Sequence, residues 1–104
     1  MDQMQLIKRT LDIRKGGEKA ALATIIRTKG STPRKTGSRM IVFPCGRIEG
    51  TIGGGCGEAE VIEEAFQVIQ TNTPTQKRVD LTKGLFYEDG GICGGIMDVF
   101  IEPI

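Results

Sequence analysis

The chain has 104 residues, 38% of them apolar and 26% charged, with a formal net charge of +1 and no histidine. That length suits a single domain burying roughly two-thirds of its unfolded surface. The near-zero charge and the shortage of aromatic residues, one Tyr and four Phe, speak against nucleic acid or a membrane surface as partner. Without histidine, Ser-His and Cys-His catalysis and His-rich zinc sites are excluded within one chain.

Asp2 and Gln5 have capping-box spacing, Met4, Ile7 and Leu11 share one helical face, and Arg14 and Lys15 precede Gly16-Gly17, which predicts a first helix. This N-terminus is too charged for a signal peptide, and no run approaches the roughly 18 apolar residues of a membrane span, so a cytoplasmic location is expected. Ala20 to Ile26 reads as a buried strand, followed by the loop TKGSTPRKTGS. Met40 to Phe43 and Arg47 to Ile52 read as a hairpin around Pro44-Cys45-Gly46. From Glu58 the period becomes helical, with Ile62, Ala65, Phe66 and Ile69 on one face, until Asn72 and Pro74. Lys77 to Thr82 alternates as a strand with Val79 and Leu81 on one side, and Met97, Val99 and Ile101 alternate with Asp98, Phe100 and Glu102 in a final strand. The order of elements predicts an α+β single domain, a mixed β-sheet covered by two helices.

Glycine, at 15 residues, is about twice its usual share. Much of it falls in three segments between regular elements: KGSTPRKTGSR (29 to 39), GTIGGGCGE (50 to 58) and GGICGG (90 to 95). The first region carries Arg27, Lys29, Arg34, Lys35 and Arg39 with no acidic residue among them, a local positive patch whose backbone and hydroxyl groups suit phosphate or carboxylate. Its bland counterpart is a solvated basic loop. The second lacks the Lys-Ser/Thr of a phosphate-binding P-loop, and Glu58 stands where a dinucleotide fingerprint has its third glycine. A glycine turn running into a helix N-terminus still offers N–H groups to an oxygen-rich ligand, while Glu58 and Glu60 in the first turn repel a highly charged one. Cys56, just before that helix, is either a reactive or soft-ligand thiol or an inert buried one. Three cysteines, at 45, 56 and 93, cannot all pair, and they have no zinc-finger spacing.

The motifs GSTPRKTGSRMIV (30 to 42), GTIGGGCGEAEV (50 to 61) and CGGIMDVFIEP (93 to 103) resemble, in that order, the N-terminal domain of the xanthine dehydrogenase accessory factor (XdhC/CoxI-like) family. The resemblance implies a chaperone that binds the molybdenum cofactor, molybdopterin, as cargo and helps to load it into the apoenzyme of a molybdenum hydroxylase such as xanthine dehydrogenase. It places Gly30, Ser31, Pro33, Arg34 and Gly37 in the first motif. Gly53, Gly54, Gly55, Cys56 and Glu58 fall in the second, and Cys93, Gly94 and Gly95 in the third. Cys56 is the candidate sulfur carrier or soft ligand. Family members typically continue into a second, dinucleotide-binding domain, so residues 1 to 104 are expected to act alone, as a homodimer, or with a partner chain supplying that half. The competing readings are a persulfide-carrying sulfurtransferase served by a cysteine desulfurase, and a regulatory subunit.

Overall fold

The N-terminal capping pattern is realised: the Asp2 carboxylate accepts from the Gln5 N–H at 2.8 Å, and the Gln5 side chain accepts from the Asp2 N–H at 2.9 Å. The helix that follows, α1 (Gln3–Gly16), ends where Gly17 turns the chain at φ 75°. The computed structural model describes residues 2–32, 34–82 and 94–104. After α1 come β1 (Ala21–Lys29), β2 (Arg39–Val42), β3 (Ile48–Gly50), α2 (Gly55–Thr71), β4 (Thr75–Asp80) and β5 (Ile96–Pro103). No helix among the described residues is long and apolar enough to cross a membrane.

The strands form one sheet in the order β3-β2-β1-β5-β4, and the α+β class with two helices on a single sheet holds. The sheet expected to be mixed is antiparallel at every pairing. The reason is topological. The crossover through α2 links β3 and β4, which run in the same direction, but sets them at opposite edges where they never pair.

The helices lie on opposite faces. Val61, Ala65 and Val68 of α2 pack on Ala23, Ile25, Met40, Met97, Val99 and Ile101 in the larger core. Leu6 and Ile13 of α1 pack on Ile41 and Phe43 of β2 in the smaller one. The first helix is therefore rotated from the sequence reading, whereas α2 turns Ile62, Ala65 and Ile69 of its expected face to the core and leaves Phe66 out. Met4, Ile7 and Leu11 are 61%, 44% and 51% exposed, and Phe66 of α2 is 39% exposed. The rotation of α1 has a visible cause. Arg9 Nε donates to Glu49 Oε1 at 2.9 Å, Arg47 Nη1 donates to Glu49 Oε2 at 2.9 Å, and both guanidinium groups lie over the Phe43 ring, at 5.5 and 4.1 Å. This polar clamp turns Arg9 toward β3 and carries Leu6 and Ile13 inward with it.

On the face away from α2, Asp98 of β5 is 3% exposed and takes Arg78 Nε at 2.9 Å, Arg78 Nη2 at 3.4 Å and Arg27 Nη1 at 3.1 Å. The sequence alternation placed Asp98 on the outer side of its strand; its arginine partners explain how it is nonetheless buried. The hydrogen bonds from Arg78, helped by the charge of Arg27, hold the Asp98 carboxyl below the ordinary carboxylate value.

Replacing Leu6 with Ala should lower unfolding free energy in urea by about 2–5 kcal/mol, while Leu11→Ala should change it by no more than about 0.5 kcal/mol; the reverse order would contradict the helix rotation. Because the folded pKa of Asp98 is depressed, its stabilisation is complete above the unfolded carboxylate pKa of about 4 and disappears as pH falls through the lower folded value. The melting-temperature gap between wild type and Asp98→Asn should therefore narrow as pH falls below about 4. A gap independent of pH in that window would detach Asp98 from the effect.

Candidate functional site

The strand register decides where the three glycine segments go. β1 ends at Lys29 and β4 at Asp80, both paired with Ile96 at the start of β5. β2 begins at Arg39, and β3 ends at Gly50 opposite Met40. The β1–β2, β3–α2 and β4–β5 connections thus all leave from the same end of the sheet, and each carries one of the segments.

Backbone contacts join them. A Cβ on residue 95 would collide with the Ser31 carbonyl and stand 2.7 Å from the Lys29 carbonyl oxygen, so only glycine lets β5 begin this close to the end of β1. On the other side of the contact, a Cβ on residue 30 would lie 3.1 Å from the Gly94 carbonyl oxygen. The Leu81 N–H donates to the Gly95 carbonyl at 2.9 Å. The Leu81 side chain in turn meets the start of α2, where a Cβ on residue 57 would be 3.1 Å from Leu81 Cδ2. The chain Ser31, Gly95, Leu81, Gly57 links the first motif to the third and the third to the second. Leu81 and Gly57 were not among the site residues read from the sequence; the signal for Gly57 was its place inside the glycine run.

In the second motif Gly53, Gly54 and Gly55 have φ of 128°, 77° and 69°. All three lie in the region that favours glycine, so the turn into α2 is bare backbone by conformational necessity. Glu58 organises this turn. Its carboxylate accepts from the Thr51 hydroxyl at 2.7 Å, the Gly54 N–H at 3.1 Å and the Ile52 N–H at 3.4 Å, while Thr51 Oγ1 accepts from the Gly53 N–H at 2.9 Å. Glu58, expected to contact a ligand, spends its carboxylate on its own loop. Among the described residues no side-chain hydrogen bond caps α2 at Gly54, so the positive end of the helix dipole is presented beside the glycine turn.

In the first motif Thr28, Gly30, Ser31, Thr32, Lys35 and Thr36 line a depression of about 650 Å³. Arg34 is exposed beside it, and its carbonyl accepts from the Thr32 hydroxyl at 2.9 Å. The loop returns to the sheet where Gly37 N–H donates to Ile25 O at 2.8 Å and Ile25 N–H donates to Ser38 O at 2.9 Å. Arg27 is engaged with Asp98, and Arg39 Nη1 donates to Gln3 Oε1 at 3.0 Å. Pro33, Cys93 and the side chain of Cys56 lie outside the described residues. Cys45 is exposed in the β2–β3 turn, remote from the motif end of the sheet. A hollow of about 230 Å³ lined by Lys19, Asn72 and Pro103 among others also lies at the far end and contains no residue of the three glycine segments.

Truncating Glu58 to Ala should destabilise the domain by about 1–3 kcal/mol, since it strips acceptors from several donors at once. Hydrogen exchange at the Ile52 and Gly54 amides should accelerate more than elsewhere; unchanged exchange at both would remove Glu58 as the anchor of the turn.

Comparison with known proteins agrees with this geometry. Residues 13–80 match the model of the XdhC and CoxI family. A Bacillus subtilis protein described as a probable component of xanthine dehydrogenase is 37% identical over 93 residues, which make up 84% of this chain and 27% of that protein. The molybdenum cofactor insertion chaperone PaoD of Escherichia coli is 29% identical over 68 residues, 65% of this chain and 21% of PaoD. A crystal structure of a xanthine dehydrogenase from Bacillus halodurans superposes with a TM-score of 0.78 at 30% identity, covering 93% of this chain and 30% of that one. The chain therefore spans about a fifth to a third of the length of these relatives. With the family model matching most of its length, this chain belongs to the XdhC and CoxI family.

Proposed function

We propose that this domain is a molybdenum cofactor accessory module, which holds a molybdopterin form of the cofactor and presents it to a molybdenum hydroxylase such as xanthine dehydrogenase. The observation that carries the reading is the gathering of the three glycine segments at one end of the sheet by the Gly95–Ser31 and Gly57–Leu81 contacts. Its likeness to a protein named as a molybdenum cofactor insertion chaperone, and to a probable xanthine dehydrogenase component, supports the same role.

The donors at this end suit such a ligand. When bound, molybdopterin supplies a phosphate, a flat ring system rich in hydrogen-bonding groups, and the sulfur atoms that hold the metal. The leading N–H groups of α2, beside the Gly53–Gly55 turn, fit the neutral carbonyl and ring-nitrogen acceptors of a pterin. The nearby Glu58 carboxylate disfavours a doubly charged group at that point. Lys35 and the exposed Arg34, with the Ser31 hydroxyl, offer the phosphate charge-assisted hydrogen bonds at the β1–β2 connection instead. Cys56, in the first turn of α2, provides the soft donor on the metal side. The glycines keep side chains out of the space that a flat ring would enter: positions 54 and 55 have nothing within 4 Å of an added Cβ.

Retention of cofactor released from a molybdenum hydroxylase, measured by ultrafiltration with separate assay of pterin and molybdenum, tests the assignment. Arg34→Ala and Lys35→Ala should each weaken pterin retention about tenfold or more, the scale of a lost charge-assisted hydrogen bond. Cys56→Ser should lower retained molybdenum more than retained pterin. Equal retention by wild type and all three variants would defeat the proposal.

A further inference from the structure

The sheet face opposite α2 carries a second cluster that the cofactor reading does not use. Asp98, 3% exposed, is gripped by Arg78 from β4 on one side and by Arg27 from β1 on the other. The Arg78 fork, donating through Nε and Nη2, already meets both carboxylate oxygens. With the added guanidinium of Arg27 the three side chains Arg27, Arg78 and Asp98 carry a net charge of +1. The two arginine side chains are 68% and 65% exposed, so the charge faces outward.

The backbone is irregular where it brings Arg27 to this place. Ile25 pairs with Val99 but Arg27 pairs with the adjacent Asp98, which inserts Ile26 as an extra residue in the central strand. Ile26 is left 40% exposed. In an unbroken register Arg27 would point to the α2 side and Asp98 would face an isoleucine. Bulges that re-aim a side chain recur beside functional sites. Among the described residues no helix covers the face here, because α1 packs on Ile41 and Phe43 of β2, on the other side of β1. Farther along the same face Lys29 and Asp80 flank Ile96; Asp80 accepts from the N–H and hydroxyl of Thr82, and its charge also acts on Arg78.

We propose that Arg27 and Arg78, held in place by Asp98, form an oxyanion site that takes a phosphate group. Asp98 immobilises both guanidinium groups in advance, which lowers the ordering cost of a further anion. Arg78 Nη1 and Arg27 Nε and Nη2, none of which Asp98 takes, then present donors from two strands. Donors from two sides match a tetrahedral group with several charged oxygens, whereas a single carboxylate is satisfied by one fork. The site stands apart from the pterin reading, because the phosphate probed need not belong to that cofactor.

The test follows the arginine Nε–Hε NMR signals during titration with potassium phosphate at constant ionic strength, with a parallel sodium acetate titration. Saturable shifts of the Arg27 and Arg78 signals are expected, with binding about tenfold or more weaker in Arg27→Gln and Arg78→Gln. Lys15→Gln, on α1, should bind as wild type does. Arg78→Lys retains a charge beside Asp98; weaker phosphate binding with an unchanged melting temperature would separate loss of the fork from loss of the fold. Non-saturable shifts, binding unaltered in both Gln variants, or acetate binding as tightly as phosphate would each overturn the proposal. Displacement of phosphate by molybdopterin would assign the site to the cargo, and binding of both together would assign it to a second phosphate; either outcome upholds the site.

Discussion

Residue 95 has no room for a side chain, and the glycine-bearing end of the molecule is arranged around that fact. The Ser31 and Lys29 carbonyls occupy the space a Cβ would need, so the start of β5 lies directly on the end of β1. The Gly95 carbonyl then receives the Leu81 N–H and ties in the end of β4. Leu81 gives α2 its footing at Gly57. Segments more than 60 residues apart in sequence, from Ser31 to Gly95, are thereby fixed on a sheet rather than left as independent loops.

Charge is distributed with the same economy. At the glycine turn the Glu58 carboxylate consumes the loop's own donors and tempers the helix dipole, so the remaining N–H groups favour neutral acceptors over a phosphate. Positive charge is displaced to the β1–β2 connection and to the opposite face. Arg39 is drawn off toward α1 and Arg27 toward Asp98, so the basic run of the sequence divides into groups with different tasks. A count of basic residues in the loop would overstate what a single ligand meets there.

Features governed by near neighbours were legible in the sequence. The Asp2–Gln5 capping box, the β2–β3 hairpin and the alternation of Met97, Val99 and Ile101 depend on residues only a few positions apart, and all form, the hairpin with its second strand shortened to Ile48–Gly50 from the expected Arg47 to Ile52. The sequence reading starts α2 at Glu58 because Gly55 and Gly57 carry no helical period; the helix starts at Gly55. β1 continues to Lys29, past the expected Ile26, because β5 pairs with residues whose composition suggests a loop. What could not be read was which stripe of α1 faces inward. In α1 the more populous stripe, Met4, Ile7 and Leu11, lost to a clamp built by Arg9, Glu49, Arg47 and Phe43, partners that only the fold brings together. The loops were recognisable by composition, but their meeting depended on strand order, and the burial of Asp98 depended on arginines 20 and 71 residues away.

The two margins of the sheet limit how another protein can approach. β3 has only three residues, and β4 reads TQKRVD, with Lys77, Arg78 and Asp80 among its six. A strand so short, or so crowded with charge, is a poor template for an added strand. Association by extending the ladder is thus discouraged at both rims, which directs any docking polypeptide to the helical surfaces or to the glycine-bearing end.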